Sequence, residues 1–170
     1  MRALRWALLP VVWTTAAAAQ PAPAAVDVCF VPATSCVDAV VAAIDGARSE
    51  IRVEAYGFTS APILAALVRA HARGVDVAVL LDRSAERGRR TGLTDMEAAS
   101  IPVWIDRVSG IAHIKAIIID RRLVVGGSYN YTASAERRNV EDVTLTDSPE
   151  IAVRFLRNWQ HRRALAEAPE

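Results

Sequence analysis

The sequence predicts an α/β fold, a mixed β-sheet flanked by helices on both faces. Three observations carry that reading. Segments rich in β-formers alternate with amphipathic stretches along most of the chain. VDVAVLLD at 75–82 is apolar almost without a break, as a strand covered on both faces requires. IAHIKAIIID and LVVGGS follow one another closely enough to form a hairpin, so the sheet is not purely parallel.

Each element has a local reason. Val26–Val31 alternates like a strand and ends at Pro32. Val37, Val40, Val41 and Ile44 recur at helical spacing after Ser35, a candidate N-cap, which predicts a helix to about Arg48. IRVEAYGF (51–58) reads as a strand, and 61–73 as an amphipathic helix closed by Gly74. After the strand ending at Asp82, RSAERGRRTG lacks apolar periodicity and reads as an exposed loop. A short helix over 93–99 leads to the strand IPVWID. The hairpin turns at Asp120-Arg121-Arg122. A short helix from about Tyr131, the strand NVEDVTLT and a helix from about Pro149 to Ala164 complete the chain.

At 170 residues and 52% hydrophobic, the chain suits one compact domain, over 26–166. Residues 1–19 carry Arg2 and Arg5, an apolar run and the small residues Ala17-Ala18-Ala19, the layout of a signal peptide cleaved after Ala19. The alternative is a single membrane anchor, against which stand the short apolar run and Pro10. Residues 20–25, QPAPAA, form a linker. Cleavage implies a periplasmic or secreted protein with no stable membrane association. It leaves 18 basic against 19 acidic side chains, net −1, so bulk charge gives no case for nucleic-acid binding. Cys29 and Cys36, an even count in an exported chain, point to a disulfide, with two free thiols as the alternative.

The chain has nineteen arginines but one lysine, Lys115, placed two residues after His113, one of three histidines. On a strand both side chains project from one side, about 7 Å apart along the chain. A fixed ammonium holds an anion while imidazole attacks or exchanges protons. Lysine is a compact point charge where arginine is a broad planar fork, and a site that must also admit a nucleophile favours the former. Gly126-Gly127 would let backbone approach a ligand. Ser128 and Asn130, at the mouth of a helix, offer hydroxyl, carboxamide and amide donors to phosphate oxygens. The alternative for Lys115 is a lysine snorkelling from a strand edge.

His113, Lys115, Asp120, Gly127, Ser128 and Asn130 fit His-x-Lys-x4-Asp-x6-Gly-Ser-x-Asn, a spacing expected by chance on the order of once in a million chains. This resembles the HKD signature of the phospholipase D superfamily. CFVPATSC, EAYGFTSAPILAALVRAHARGVDVAVLLD and RRNVED extend the likeness, over roughly 27–165, to its small single-motif bacterial endonucleases. The resemblance implies a phospholipase D-like fold and a homodimer whose single active site is shared. His113 of one subunit would attack phosphorus to give a phosphohistidine. His113 of the partner subunit would protonate the leaving oxygen. Lys115, Asn130 and Ser128 would hold the phosphate, and Glu141 would orient the histidine. Asp142 competes with Glu141 for that role, and strand alternation admits only one of them.

Asp120 lies ~17 Å from Lys115 on an extended strand and reads as structural. Arg87, Arg89 and Arg90 in the polar loop, with Arg137 and Arg138 after Asn130, are candidates for tracking a nucleic-acid backbone; solvated surface is the alternative. Trp104 and Trp159 read as core, and Tyr129 or Tyr131 as a pocket wall. The resemblance implies no metal and no cofactor, since lysine supplies the charge a metal would bring. The expected function is hydrolysis of DNA, or of RNA, with a phospholipase and a non-catalytic nucleic-acid-binding protein as alternatives.

Overall fold

The computed structural model describes residues 23–87 and 91–169. The signal-peptide expectation and the first half of the linker, like Arg89 and Arg90, lie outside the described residues. The order is β1 (Ala25–Val31), α1 (Cys36–Asp45), β2 (Glu50–Ala55), α2 (Ala61–Ala72), β3 (Asp76–Asp82), a 3-10 turn (Arg83–Glu86), α3 (Gly92–Ala98), β4 (Val103–Asp106), β5 (Lys115–Ile119), β6 (Leu123–Gly127), α4 (Ala133–Arg138), β7 (Glu141–Asp147) and α5 (Pro149–Leu165).

One mixed sheet, ordered β1-β7-β6-β5-β2-β3-β4, organises these elements. β2, β3 and β4 are parallel, joined through α2 and α3. β2, β5, β6, β7 and β1 pair antiparallel in that order. Alternation divides the apolar side chains between two layers. Ile51, Val53, Ile117 and Ile119 pack with Val40, Ile44, Ile63 and Leu67 of α1 and α2. Leu80, Ile118 and Val124 face Ala152 and Trp159 of α5. Each fully buried aliphatic side chain contributes about 1.5–3 kcal/mol. The expected sheet with helices on both faces is therefore present. Trp159 is buried with its indole N–H on the Val53 carbonyl, and Trp104 packs edge-on against it at 6.2 Å.

Several boundaries move. α1 ends at Asp45 rather than near Arg48, because the amides of Arg48, Ser49 and Glu50 bond to Asp120 instead of continuing a helix. Ser35 does not cap α1 with its side chain; its hydroxyl donates to Glu136, and Glu136 Oε2 accepts the Val37 amide. A carboxylate a hundred residues away thus takes over the capping. β2 stops at Ala55, not Phe58, because Thr59 and Ser60 turn their amides to the Tyr131 carbonyl. The stretch read as an exposed loop starts as a 3-10 turn with Ala85 buried, capped by Asp82. The disulfide is formed between Cys29 and Cys36, joining β1 to the first residue of α1. No helix among the described residues is long and apolar enough to cross a membrane.

At the β5–β6 turn, Asp120 and Arg121 both have positive φ, 51° and 54°, the geometry that lets a tight hairpin match the sheet's twist. Asp120 accepts from the amides of Arg48, Ser49 and Glu50 and from the Ser49 hydroxyl. Burial pushes its carboxyl up, but these bonds hold it below the usual carboxylate range. It ties the hairpin to the start of β2, at the sheet end opposite Lys115.

Candidate active site

The carboxyl ends of β2, β3 and β6 and the starts of β5 and β7 lie at the same end of the sheet. Lys115 is the first residue of β5, opposite Ala55, and is only 8% exposed. His113 precedes the strand by two residues and is exposed. The expectation that both sit on one strand is corrected. Free of the ladder, the imidazole comes much closer than strand spacing allows: Lys115 Nζ lies 2.9 Å from His113 Nε2 and donates to the His113 carbonyl at 3.0 Å. With the lysine protonated, Nε2 accepts and the ring proton sits on Nδ1. Burial pulls the Lys115 ammonium below the usual lysine range, and Glu141 opposes that shift.

Two residues absent from the sequence expectations hold this pair. Asp82, buried at the end of β3, accepts the Ala112 amide at 2.8 Å and the Ser84 amide at 2.9 Å. Burial pushes its carboxyl up, but hydrogen bonds from Ser84 and Ala112, with Arg83 nearby, keep it below the usual range. Tyr56 follows β2; its amide donates to the Ile114 carbonyl, and its ring packs edge-on against His113 at 4.8 Å. Lys115 Nζ stands 5.5 Å from the centre of the same ring. The available signals were an acid closing an apolar strand and a tyrosine beside a glycine at a strand end. Neither was decisive without knowing that β2 neighbours β5 and that β3 lies just beyond β2.

Ser128 links the next two strands. Its hydroxyl donates to Glu141 Oε2 and accepts the Asp142 amide, while its own amide donates to Asp142 Oδ1 at 3.2 Å. Asn139 donates to Glu141 Oε1 at 2.8 Å. Glu141 pairs with Val31 and Asp142 with Phe30, so the two carboxylates lie on opposite faces, Glu141 on that of Lys115. The expectation that Glu141 orients the histidine is not met in this chain alone, because Glu141 is engaged by Ser128 and Asn139 and the ring by Lys115.

Gly127 is required by its own strand pair. Its φ is +129°, and a Cβ there would lie 2.4 Å from the Asp142 carbonyl oxygen. Asn130 packs against Gly57, where a Cβ would meet Asn130 Oδ1 at 3.1 Å; that oxygen is buried without a hydrogen-bond partner among the described residues. The helix mouth also moves. The cap of α4 is Thr132, whose hydroxyl accepts the Ala135 amide, so that donor is already taken. Tyr129 and Tyr131 are both buried and belong to the core, with the Tyr129 hydroxyl donating to Glu136. Burial raises both phenols far above their ordinary value. Arg137 and Arg138 are exposed at the end of α4, before Asn139, and Arg87 is exposed after the 3-10 turn. Among the described residues, no three His, Cys, Asp or Glu side chains are grouped to hold a metal ion.

A mixed sheet with an imidazole–ammonium pair at the end of its central strands, backed by hydroxyl, carboxamide and carboxylate, defines a phosphodiester-cleaving class. The family model described as "Cardiolipin synthase, PLD-like domain" matches residues 40–163. The chain belongs to the phospholipase D superfamily and is a phosphodiesterase of that family. It is 45% identical over 139 residues to a phospholipase D of Rickettsia bellii, covering 82% of this chain and 69% of that protein. Against the human mitochondrial cardiolipin hydrolase it is 31% identical over 74% of this chain and spans half the length of that protein. Among solved structures, the phospholipase D family member Nuc from Salmonella typhimurium superposes with a TM-score of 0.80 at 36% identity, covering 86% of this chain and 98% of that one.

Proposed function

We propose that this protein is an exported, metal-independent endonuclease that hydrolyses DNA, and RNA by the same chemistry, as a homodimer with one shared site. The observation that carries the reading is the exposed His113 ring held 2.9 Å from a buried ammonium at the open end of the sheet. Lys115 donates to the very nitrogen that would attack, so an incoming phosphate has to draw the ammonium onto its own oxygens and free the lone pair. His113 then bonds to phosphorus as the P–O bond to the leaving group breaks. The leaving oxygen takes a proton from His113 of the partner subunit, and water attacks the phosphohistidine to restore the ring. Lys115 and Asn130 stabilise the charge on the non-bridging oxygens. Nucleic acid is favoured by the sequence likeness to small endonucleases and by exposed Arg137, Arg138 and Arg87.

A second reading, a lipid phosphodiesterase, is favoured by the Rickettsia relatives named phospholipase D and by exposed Ile111 and Val140 on either side of the catalytic segments. Incubation with plasmid and with phosphatidylcholine vesicles, both in EDTA, separates the two. Plasmid cleavage alone is the expected result; lipid cleavage alone reverses the assignment, and a nuclease stopped by EDTA refutes metal independence. His113→Ala abolishes cleavage. Light scattering is expected to report a dimer, and an active monomer would refute the shared site.

A further inference from the structure

We propose that Tyr56 is the positioning residue of the site, holding the His113 imidazole with its ring edge and the Lys115 ammonium with its ring face. The inference rests on the reading of His113 and Lys115 as the reacting pair, and goes beyond it by assigning what fixes their mutual geometry. His113 lies outside β5, so no strand ladder orients it. Lysine has four side-chain torsions, and the ammonium of Lys115 is buried where a wrong rotamer would leave it unsolvated. Tyr56 answers both problems from one place. Its amide donates to the Ile114 carbonyl at 3.1 Å, fixing the backbone between the two reacting residues. Its ring meets the imidazole edge-on at 4.8 Å, an interplanar angle of 62°, the arrangement that aromatic quadrupoles favour. The ammonium lies 5.5 Å from the ring centre, within the range of cation–π attraction. The two ring contacts need an aromatic side chain and neither needs the hydroxyl, so phenylalanine should substitute and leucine should not; the backbone bond is kept in both. Gly57, packed against Asn130, follows directly, so the ring and the carboxamide are positioned by one short segment.

The single lysine makes the test direct. Protein carrying 13C-labelled lysine shows one lysine spin system, and a ring this close displaces its ε-methylene signal. The His113 ring adds to the same displacement, so the signal is expected unchanged in Tyr56→Phe and clearly moved in Tyr56→Leu. In parallel, hydrolysis of bis(p-nitrophenyl) phosphate, a simple phosphodiester, should show kcat down by about ten- to a hundred-fold in Tyr56→Leu with KM nearly unchanged, and near wild type in Tyr56→Phe. A lysine signal in Tyr56→Leu identical to that of wild type, or wild-type kcat in Tyr56→Leu, overturns the assignment. Wild-type inactivity on the diester would overturn the phosphodiesterase chemistry instead, while the lysine signal still decides Tyr56.

Discussion

Asp82, the last residue of β3, accepts the backbone N–H of Ala112 at 2.8 Å and so anchors the segment whose next residue is His113. A buried carboxylate in a core strand thus sets the position of an exposed imidazole. Asp82→Ala leaves two amides without their acceptor, at about 1–3 kcal/mol of stability each when water cannot replace it. The expected outcome is a lower melting temperature together with a fall in kcat on the order of a hundred-fold. Wild-type kcat in a folded variant would separate Asp82 from catalysis.

The burial of Lys115 has a consequence for pH. In the proposed role its ammonium would hold phosphate only while protonated, and burial lowers its affinity for the proton. Activity should therefore fall on the alkaline side at a pH below that of an ordinary lysine, ~10.4. Lys115→Arg keeps the charge at all those pH values and should remove this alkaline limb, at a reduced kcat because the planar fork does not fit the lysine's place. A pH–rate profile of the two proteins checks both statements.

Glu54 faces α5, buried, with Asn158 donating to it at 3.2 Å. Burial and then Asp106 raise its pKa above the ordinary carboxylate value, against the Asn158 bond and Arg162. The folded state binds this proton more tightly than the unfolded chain. Its contribution to stability is therefore full below the ordinary value and lost as pH rises through the raised one. At neutral pH, above the ordinary carboxylate value, that contribution is reduced or gone. Glu54→Gln keeps an acceptor for Asn158 and should raise the melting temperature by about 2–4 °C at pH 7, with the gain vanishing toward pH 4. Calorimetry at both pH values tests it.

The Cys29–Cys36 bridge ties the sheet's outer strand to α1. Closing so short a loop is worth roughly 2–3 kcal/mol through the unfolded chain. Unfolding in urea with and without a reductant should show that difference as a lower midpoint after reduction. Equal midpoints would mean that the packing of β1 on β7 alone holds the strand.

The sequence by itself determined the alternation of strands and helices, the hairpin and the family motif from which the reacting residues are proposed, because these are written in short-range patterns. Apolar periodicity reports burial one element at a time, and the six motif residues lie within eighteen positions of each other. It could not decide how far each element runs where a distant partner intervenes. Asp120 ends α1 by capturing the Arg48–Glu50 amides, and Glu136 takes the capping that Ser35 was expected to provide. Nor could it place Asp82 and Tyr56 at the site, since Asp82 reaches the Ala112 amide and Tyr56 the His113 ring only because β2 lies between β3 and β5 in the sheet. The engagement of Glu141 by Ser128 was equally a tertiary outcome. Hydrogen bonds and ring contacts act over a few ångströms in space, and strand order alone brings residues 56, 82 and 113 within that range.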